Sequence, residues 1–288
     1  MIKLVFNSVI FIICLTFQNG YAQSKKAFQL YNNKGRKVSY KKLINEAKSA
    51  DVVLFGEYHD NPISHWLELE VVKDLSSKSD IIIGAEMLET DDQRTLDEFI
   101  KDKISLRTFD SISNLWPNFE TDYLPVITFA KKSNIPIFAT NIPRKYAKMV
   151  FKNGGFSALD SLSIKEKNNI APFPILFDPD LPQYKKMLDM MGGHGMIDMV
   201  KAQAIKDATM AHFIQENRKE NTIFFHLNGA YHSDFKEGIY WYLKQLDSTI
   251  KCVTISTVKE KNINKLSKTH RSRADFIISV DLDMTSTY

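Results

Sequence analysis

Short apolar runs separated by amphipathic stretches set the rhythm of this chain. Asp51–Phe55, Asp80–Ala85, Ile135–Thr140, Thr222–Leu227, Lys251–Ser256 and Ala274–Val280 are runs of five to seven residues. Runs that short, without polar alternation, read as strands buried on both faces. Between them, Leu43–Ser49, Pro62–Leu75, Asp91–Ile100, Tyr123–Lys132, Pro143–Phe151 and a stretch from about Ser233 to Gln245 carry helical patterns. Asp60 or Asn61 caps the second of these, with Pro62 in its first turn. Asn153-Gly154-Gly155 closes the fifth. Strands alternating with helices predict an α/β fold of three layers, α/β/α, around a mostly parallel sheet. The polar stretch 23–41 predicts no element.

The region 156–221 breaks the rhythm. It holds no convincing strand, and it contains Ala171-Pro-Phe-Pro174 and Asp178-Pro-Asp-Leu-Pro182. Two helical patterns follow, interrupted by Gly192-Gly193-His194-Gly195. It reads as a helical insertion between the third and fourth of these strands, a lid or cap.

The N-terminus reads as an address rather than part of the fold. Lys3 precedes an apolar core, Leu4–Phe17, and Gly20 and Ala22 supply small residues before Gln23. This predicts a secretory signal over 1–22 and a mature domain over 23–288. The core is shorter than the roughly 20 residues that span a bilayer, and no later segment approaches that length. Secretion across the inner membrane, to the periplasm or cell envelope, is the expected destination. Cys14 lies inside the apolar core behind Ile13, so no lipoprotein site is expected. Cys252 is then the one thiol of the mature chain, which leaves no internal disulfide. The net charge of +4 is mild for 288 residues. No Lys/Arg block with interleaved aromatics suggests nucleic acid.

Candidate chemistry gathers at the predicted strand ends, where open parallel sheets place their ligands. Gly56-Glu57-Tyr58-His59 and Gly229-Ala230-Tyr231-His232 repeat one pattern, a Gly, two residues and a His, each after a strand. The second strand delivers Glu86. The third delivers Asn141, with Arg144 one helical turn on, and the fourth carries His226. Glu57, His59, Glu86 and His232 form the candidate catalytic and metal-ligating set. Two imidazoles and two carboxylates suit Zn²⁺ or Mn²⁺, and such an ion would acidify a bound water. The alternative is a hydrogen-bonded His–Glu cluster that orders loops and holds no ion.

The motifs carry a family resemblance. The chain resembles the ChaN-like haem-binding uptake proteins of the Tiki/TraB/erythromycin-esterase superfamily. The resemblance rests on Gly56–His59, Gly84-Ala85-Glu86-Met87, Lys201–Ala211, Leu227–His232 and Ala274–Ile278, and spans roughly Leu43–Val280. It implies an α/β/α core with a helical insertion and a crevice built from Glu57, His59, Glu86 and His232. The bacterial ChaN branch implies haem binding in iron acquisition, with a Tyr and a His from different subunits on iron. The animal Tiki branch implies metal-dependent peptide cleavage by the paired Gly-x-x-His motifs and a Glu. The shared motifs do not choose between them.

Within the insertion, Tyr184 and His194 are the candidate haem ligands. Met187, Met190, Met191, Met196 and Met199 offer an adaptable apolar surface, although Met at helical spacing also suits a core. His65 and His212 read as structural or surface residues and His270 as solvated. The leading expectation is a secreted haem-binding protein for haem or iron uptake, with haem and a haem-dependent second copy as partners. The other two are a metal-dependent peptidase or esterase and a non-catalytic envelope interaction module.

Overall fold

The computed structural model describes residues 25–190 and 197–288. Among these residues, seven strands form one sheet: β1 Phe28–Asn32, β2 Val52–Glu57, β3 Ile81–Glu89, β4 Ile137–Asn141, β5 Ile223–Gly229, β6 Cys252–Glu260 and β7 Phe276–Asp281. Their order is β1-β7-β6-β2-β5-β3-β4. β2 to β7 run parallel, and β1 pairs antiparallel with β7 along the edge.

Six strands coincide with the apolar runs. β1 lies in the stretch where the sequence predicts no element. Five residues, of which only Leu30 and Tyr31 are buried and Gln29 is polar, carry too little pattern to stand out. The strand is specified by its ladder to β7 and by the Tyr31 hydroxyl, which donates to the Ile263 carbonyl at 2.6 Å.

Among the described residues, ten helices complete the layers: α1 Tyr40–Ala47, α2 Pro62–Ser76, α3 Gln93–Ile100, α4 Leu106–Ile112, α5 Leu124–Lys132, α6 Arg144–Lys152, α7 Ile164–Lys167, α8 Pro182–Met190, α9 Ile197–Asn217 and α10 Ile239–Leu246. The expected cap of α2 is present. Asn61 accepts a hydrogen bond from the Ser64 N–H, and Pro62 opens the helix.

Alternate residues of each strand face opposite layers. Val53, Phe55, Ile83 and Phe225 pack with Leu67 and Val71 of α2 and Val126 of α5. Val52, Leu54, Ile82 and Phe224 pack with Ala208, Ala211 and Ile214 of α9 and Leu243 of α10. Burying such side chains contributes roughly 1.5–3 kcal/mol each, so the two cores fix the three-layer order. With β1 counted, the helical insertion falls between β4 and β5. It is not only a cap, because its long helix α9 is itself a covering helix of the sheet. No helix among the described residues is long and apolar enough to cross a membrane.

Candidate functional site

The C-terminal ends of β2, β5 and β3 lie side by side, which brings both Gly-x-x-His motifs to one crevice. Their glycines interlock. A Cβ at Gly56 would meet the Ala230 Cα and the Ile255 carbonyl oxygen, each at 2.9 Å. A Cβ at Gly229 would lie 2.7 Å from the His59 ring. Each motif therefore needs a residue without a side chain so that the other can approach. This is a steric reason for glycine, since neither backbone lies in the left-handed region.

Glu57 and His59 form the first half of the site. Glu57 Oε1 lies 2.7 Å from His59 Nδ1 and accepts from the Tyr123 hydroxyl at 2.6 Å. Trp116 packs edge-on against the His59 ring, 4.7 Å between centroids. Burial opposes ionisation of Glu57, but the neighbouring Glu68 carboxyl, the His59 hydrogen bond and the nearby imidazoles overcome it and hold its pKa at about 2. His59 keeps a side chain 37% exposed. Burial disfavours its charge, yet Glu57 and Glu86 outweigh that and raise its pKa. The Nε2 side of the ring lies over Gly229, toward Glu86.

Glu86 and His232 form the second half. His232 is buried, with Nε2 3.0 Å from Glu86 Oε1 and Nδ1 2.5 Å from Asp207 Oδ1. Glu86 Oε2 also accepts the Gly229 N–H at 2.7 Å. Burial works against the charged ring, but the two flanking carboxylates push its pKa up to about 10. His232 is thus an imidazolium between two carboxylates. Both of its ring nitrogens are engaged, one by each carboxylate.

Glu57, His59 and His232 line a cleft of about 400 Å³, together with Tyr58, Gln203, Tyr231 and Arg273. The Arg273 guanidinium donates to Asp234 at 2.6 Å. The structure brings Glu57, His59, Glu86 and His232 to one place. It does not bring in Arg144, whose side chain is 72% exposed and 3.9 Å from Glu89. His226 sits inside the sheet near Thr140 and Asn228, and burial pushes its pKa down to about 4.

Tyr184 is also elsewhere than a surface haem ligand would be. It is buried against Val200 and Ala204, and its hydroxyl donates to Asp207 Oδ2 at 2.9 Å. Ligation of an external iron would require that bond to open. His194 lies outside the described residues, as do Met191 and Met196.

Sequence reasoning missed Asp207, Tyr123, Glu68 and the buried role of His65. Asp207 carried a signal: it shares a helical face with Ala204, Ala208 and Ala211, where an acid is out of place. His65 and Glu68 carried a fainter one, a His and a Glu three apart on a helix.

The chain matches, over residues 43–243, the family described as haem-binding uptake, Tiki superfamily, ChaN. ChaN of Campylobacter jejuni, solved with cofacial haem binding, shares 19% identity over 88% of this chain and 96% of its own, with a TM-score of 0.65. A Bacillus cereus protein shares 12% identity over 88% and 94%, with a TM-score of 0.51. At those identities the likeness shows the fold alone. No curated protein matches the chain. The family match covers well over half of the sequence, and the chain belongs to the ChaN-like haem-binding uptake family of the Tiki superfamily.

Proposed function

We propose that this protein binds haem as cargo and serves haem or iron uptake at the cell envelope. Besides family membership, the carrying observation is an apolar surface where α8 ends and α9 begins. Met190 is 76% exposed. Met187, Leu188, Ile197 and Met199 are half-buried beside the same helix ends. A porphyrin face needs adaptable apolar side chains of this kind. His194, in the short segment joining the two helices, is the proposed axial donor. Tyr184 anchors α8 to Asp207 below that surface and would reach iron only after release. The same apolar surface suits a second copy, hence a haem-dependent dimer. Residues 1–22 are proposed to direct secretion and to be removed, leaving 23–288 free of lipid in the periplasm or envelope.

The test is a haem titration of residues 23–288, followed by Soret absorbance and sedimentation. The expected result is saturable binding with a shifted Soret band and a dimer on loading. His194→Ala should alter the band. A wild-type chain that leaves the haem spectrum unchanged would end this reading.

A second reading, hydrolysis of a peptide or ester in the cleft, is favoured by the contrast between the two imidazoles. Glu57 orients His59 through Nδ1 and leaves the ring edge toward the cleft, the geometry of a general acid or base. Glu86 and His232 then set the field around it. Hydrolysis of a peptide and ester panel, lost in His59→Ala, is the expected result. Turnover retained in that variant would remove His59 from the chemistry.

A further inference from the structure

Behind His59, on the α2 side of the sheet, lies a second constellation that the cleft does not use. His65 and Glu68 project from α2 toward Glu57 at the end of β2. His65 Nδ1 lies 2.9 Å from Glu68 Oε2 and 3.4 Å from Glu57 Oε2. Both carboxylate side chains are wholly buried, and the His65 side chain is 4% exposed. One ligand atom from each of the three residues lies within 4.8 Å of the others.

Two further observations point to a missing positive centre. Glu57 Oε2 and Glu68 Oε1 are buried oxygens with no hydrogen-bond partner. Leaving such groups unpaired is costly, more so when they are charged. The tautomer of His65 adds to this. Its Nε2 lies 3.1 Å from the His59 carbonyl oxygen, which can only accept. Nε2 therefore carries a proton, and Nδ1, the atom facing the two acids, is the one left to act as a ligand. Three such groups facing one another repel unless a proton or a metal ion sits among them. An imidazole whose far N–H donates to a backbone carbonyl is also the usual support of a metal-bound histidine.

We infer that Glu57, His65 and Glu68 form a buried site for one divalent first-row metal ion, of the Zn²⁺ or Mn²⁺ class. The donor set of one imidazole and two carboxylates suits these borderline ions. The separations of 2.9 and 3.4 Å from His65 Nδ1 to the two acids match ligands about 2 Å from a common centre. The site is separate from Glu86 and His232 and contains only one of the two motif acids. Glu57 joins it to the cleft: one oxygen faces the ion, the other holds His59 and Tyr123. The ion would tie α2 to the end of β2 and fix the loop that carries His59. The inference does not rest on haem binding.

The experiment uses residues 23–288 freed of metal with a chelator, then titrated with Zn²⁺ or Mn²⁺ alone and followed by calorimetry and metal analysis. One equivalent per chain is expected, with a rise in Tm. Glu68→Gln and His65→Gln should each weaken binding by more than ~100-fold, beyond the 10–100-fold typical of a supporting residue. The Mn²⁺-loaded wild-type chain gives a second readout that does not depend on the variants folding. Its pulsed electron-spin spectrum should show one imidazole nitrogen per ion. Absence of binding at micromolar metal, two imidazoles on the ion, or full affinity in both variants would each overturn the site.

Discussion

The two Gly-x-x-His motifs are alike in sequence and unlike in chemistry. His59 is held at one nitrogen by Glu57 and keeps an edge in the cleft. His232 is buried and held at both nitrogens by Glu86 and Asp207. The difference comes from what each loop meets. The first emerges beside Trp116 and the mouth of the cleft. The second is covered by α9, which contributes Asp207 from an otherwise apolar face. One motif therefore yields an imidazole able to act on a ligand. The other yields a fixed positive charge that holds two carboxylates, and through Gly229 it seats the first ring.

If that contrast is right, the second half carries more stability than the first. Asp207→Ala should have the largest effect. It strips one carboxylate from a buried imidazolium and leaves the Tyr184 hydroxyl without its acceptor. Breaking a buried pair in this way costs about 3–5 kcal/mol. Denaturant unfolding should show the midpoint falling accordingly. A loss below about 1 kcal/mol would mean that His232 is not a buried cation.

The same half should set the pH profile of stability. The folded pKa of His232, about 10, lies above its ordinary 6.5. Its stabilisation is therefore complete below about pH 6.5 and disappears as pH rises through about 10. Glu86 is held below its ordinary 4.5 by His232, His59 and the Gly229 N–H, despite burial. Its contribution is present above pH 4.5 and is lost as pH falls through the depressed value. The joint contribution of His232 and Glu86 is thus fullest between about pH 4.5 and 6.5. His232→Gln should be less stable than wild type in that window and converge with it toward pH 10. A constant difference across the whole range would contradict the assignment.

Gly56→Ala should come next. The new methyl would meet backbone on both sides, at Ala230 and Ile255, and neither yields as a side-chain tip would. Overpacking of this kind costs about 1–3 kcal/mol. Unfolding measurements should find that loss. A neutral Gly56→Ala would mean that the motifs do not interlock.

Much of this was legible in the sequence because burial on both faces leaves uninterrupted apolar runs, and six of the seven strands have them. β1 has none: only Leu30 and Tyr31 are buried, too short a run to stand out between polar neighbours. Glu57, His59, Glu86 and His232 were legible because parallel strands end on one side of a sheet. Local pattern could not show which nitrogen each ring would spend. Asp207 stands 25 residues from His232, and only the packing of α9 over the crevice joins them. His65 read as structural or surface because a helical His gives no sign of what lies across from it. The structure puts Glu57 there.

The smallest expected effect on stability falls on His59, and it sharpens the contrast most. His59→Gln removes one hydrogen bond to Glu57 from a ring 37% exposed. The Tyr123 hydroxyl still satisfies Glu57 Oε1, so no buried acceptor is stranded. A net hydrogen bond contributes about 0.5–1.5 kcal/mol, and the cost should sit at the lower end. The equivalent change at His232 strands two buried carboxylates and should cost several times more. Side-by-side unfolding of His59→Gln and His232→Gln at pH 6 measures the ratio directly. Equal losses would mean that the two imidazoles are equivalent supports, and that the exposed edge of His59 has no special standing in the cleft.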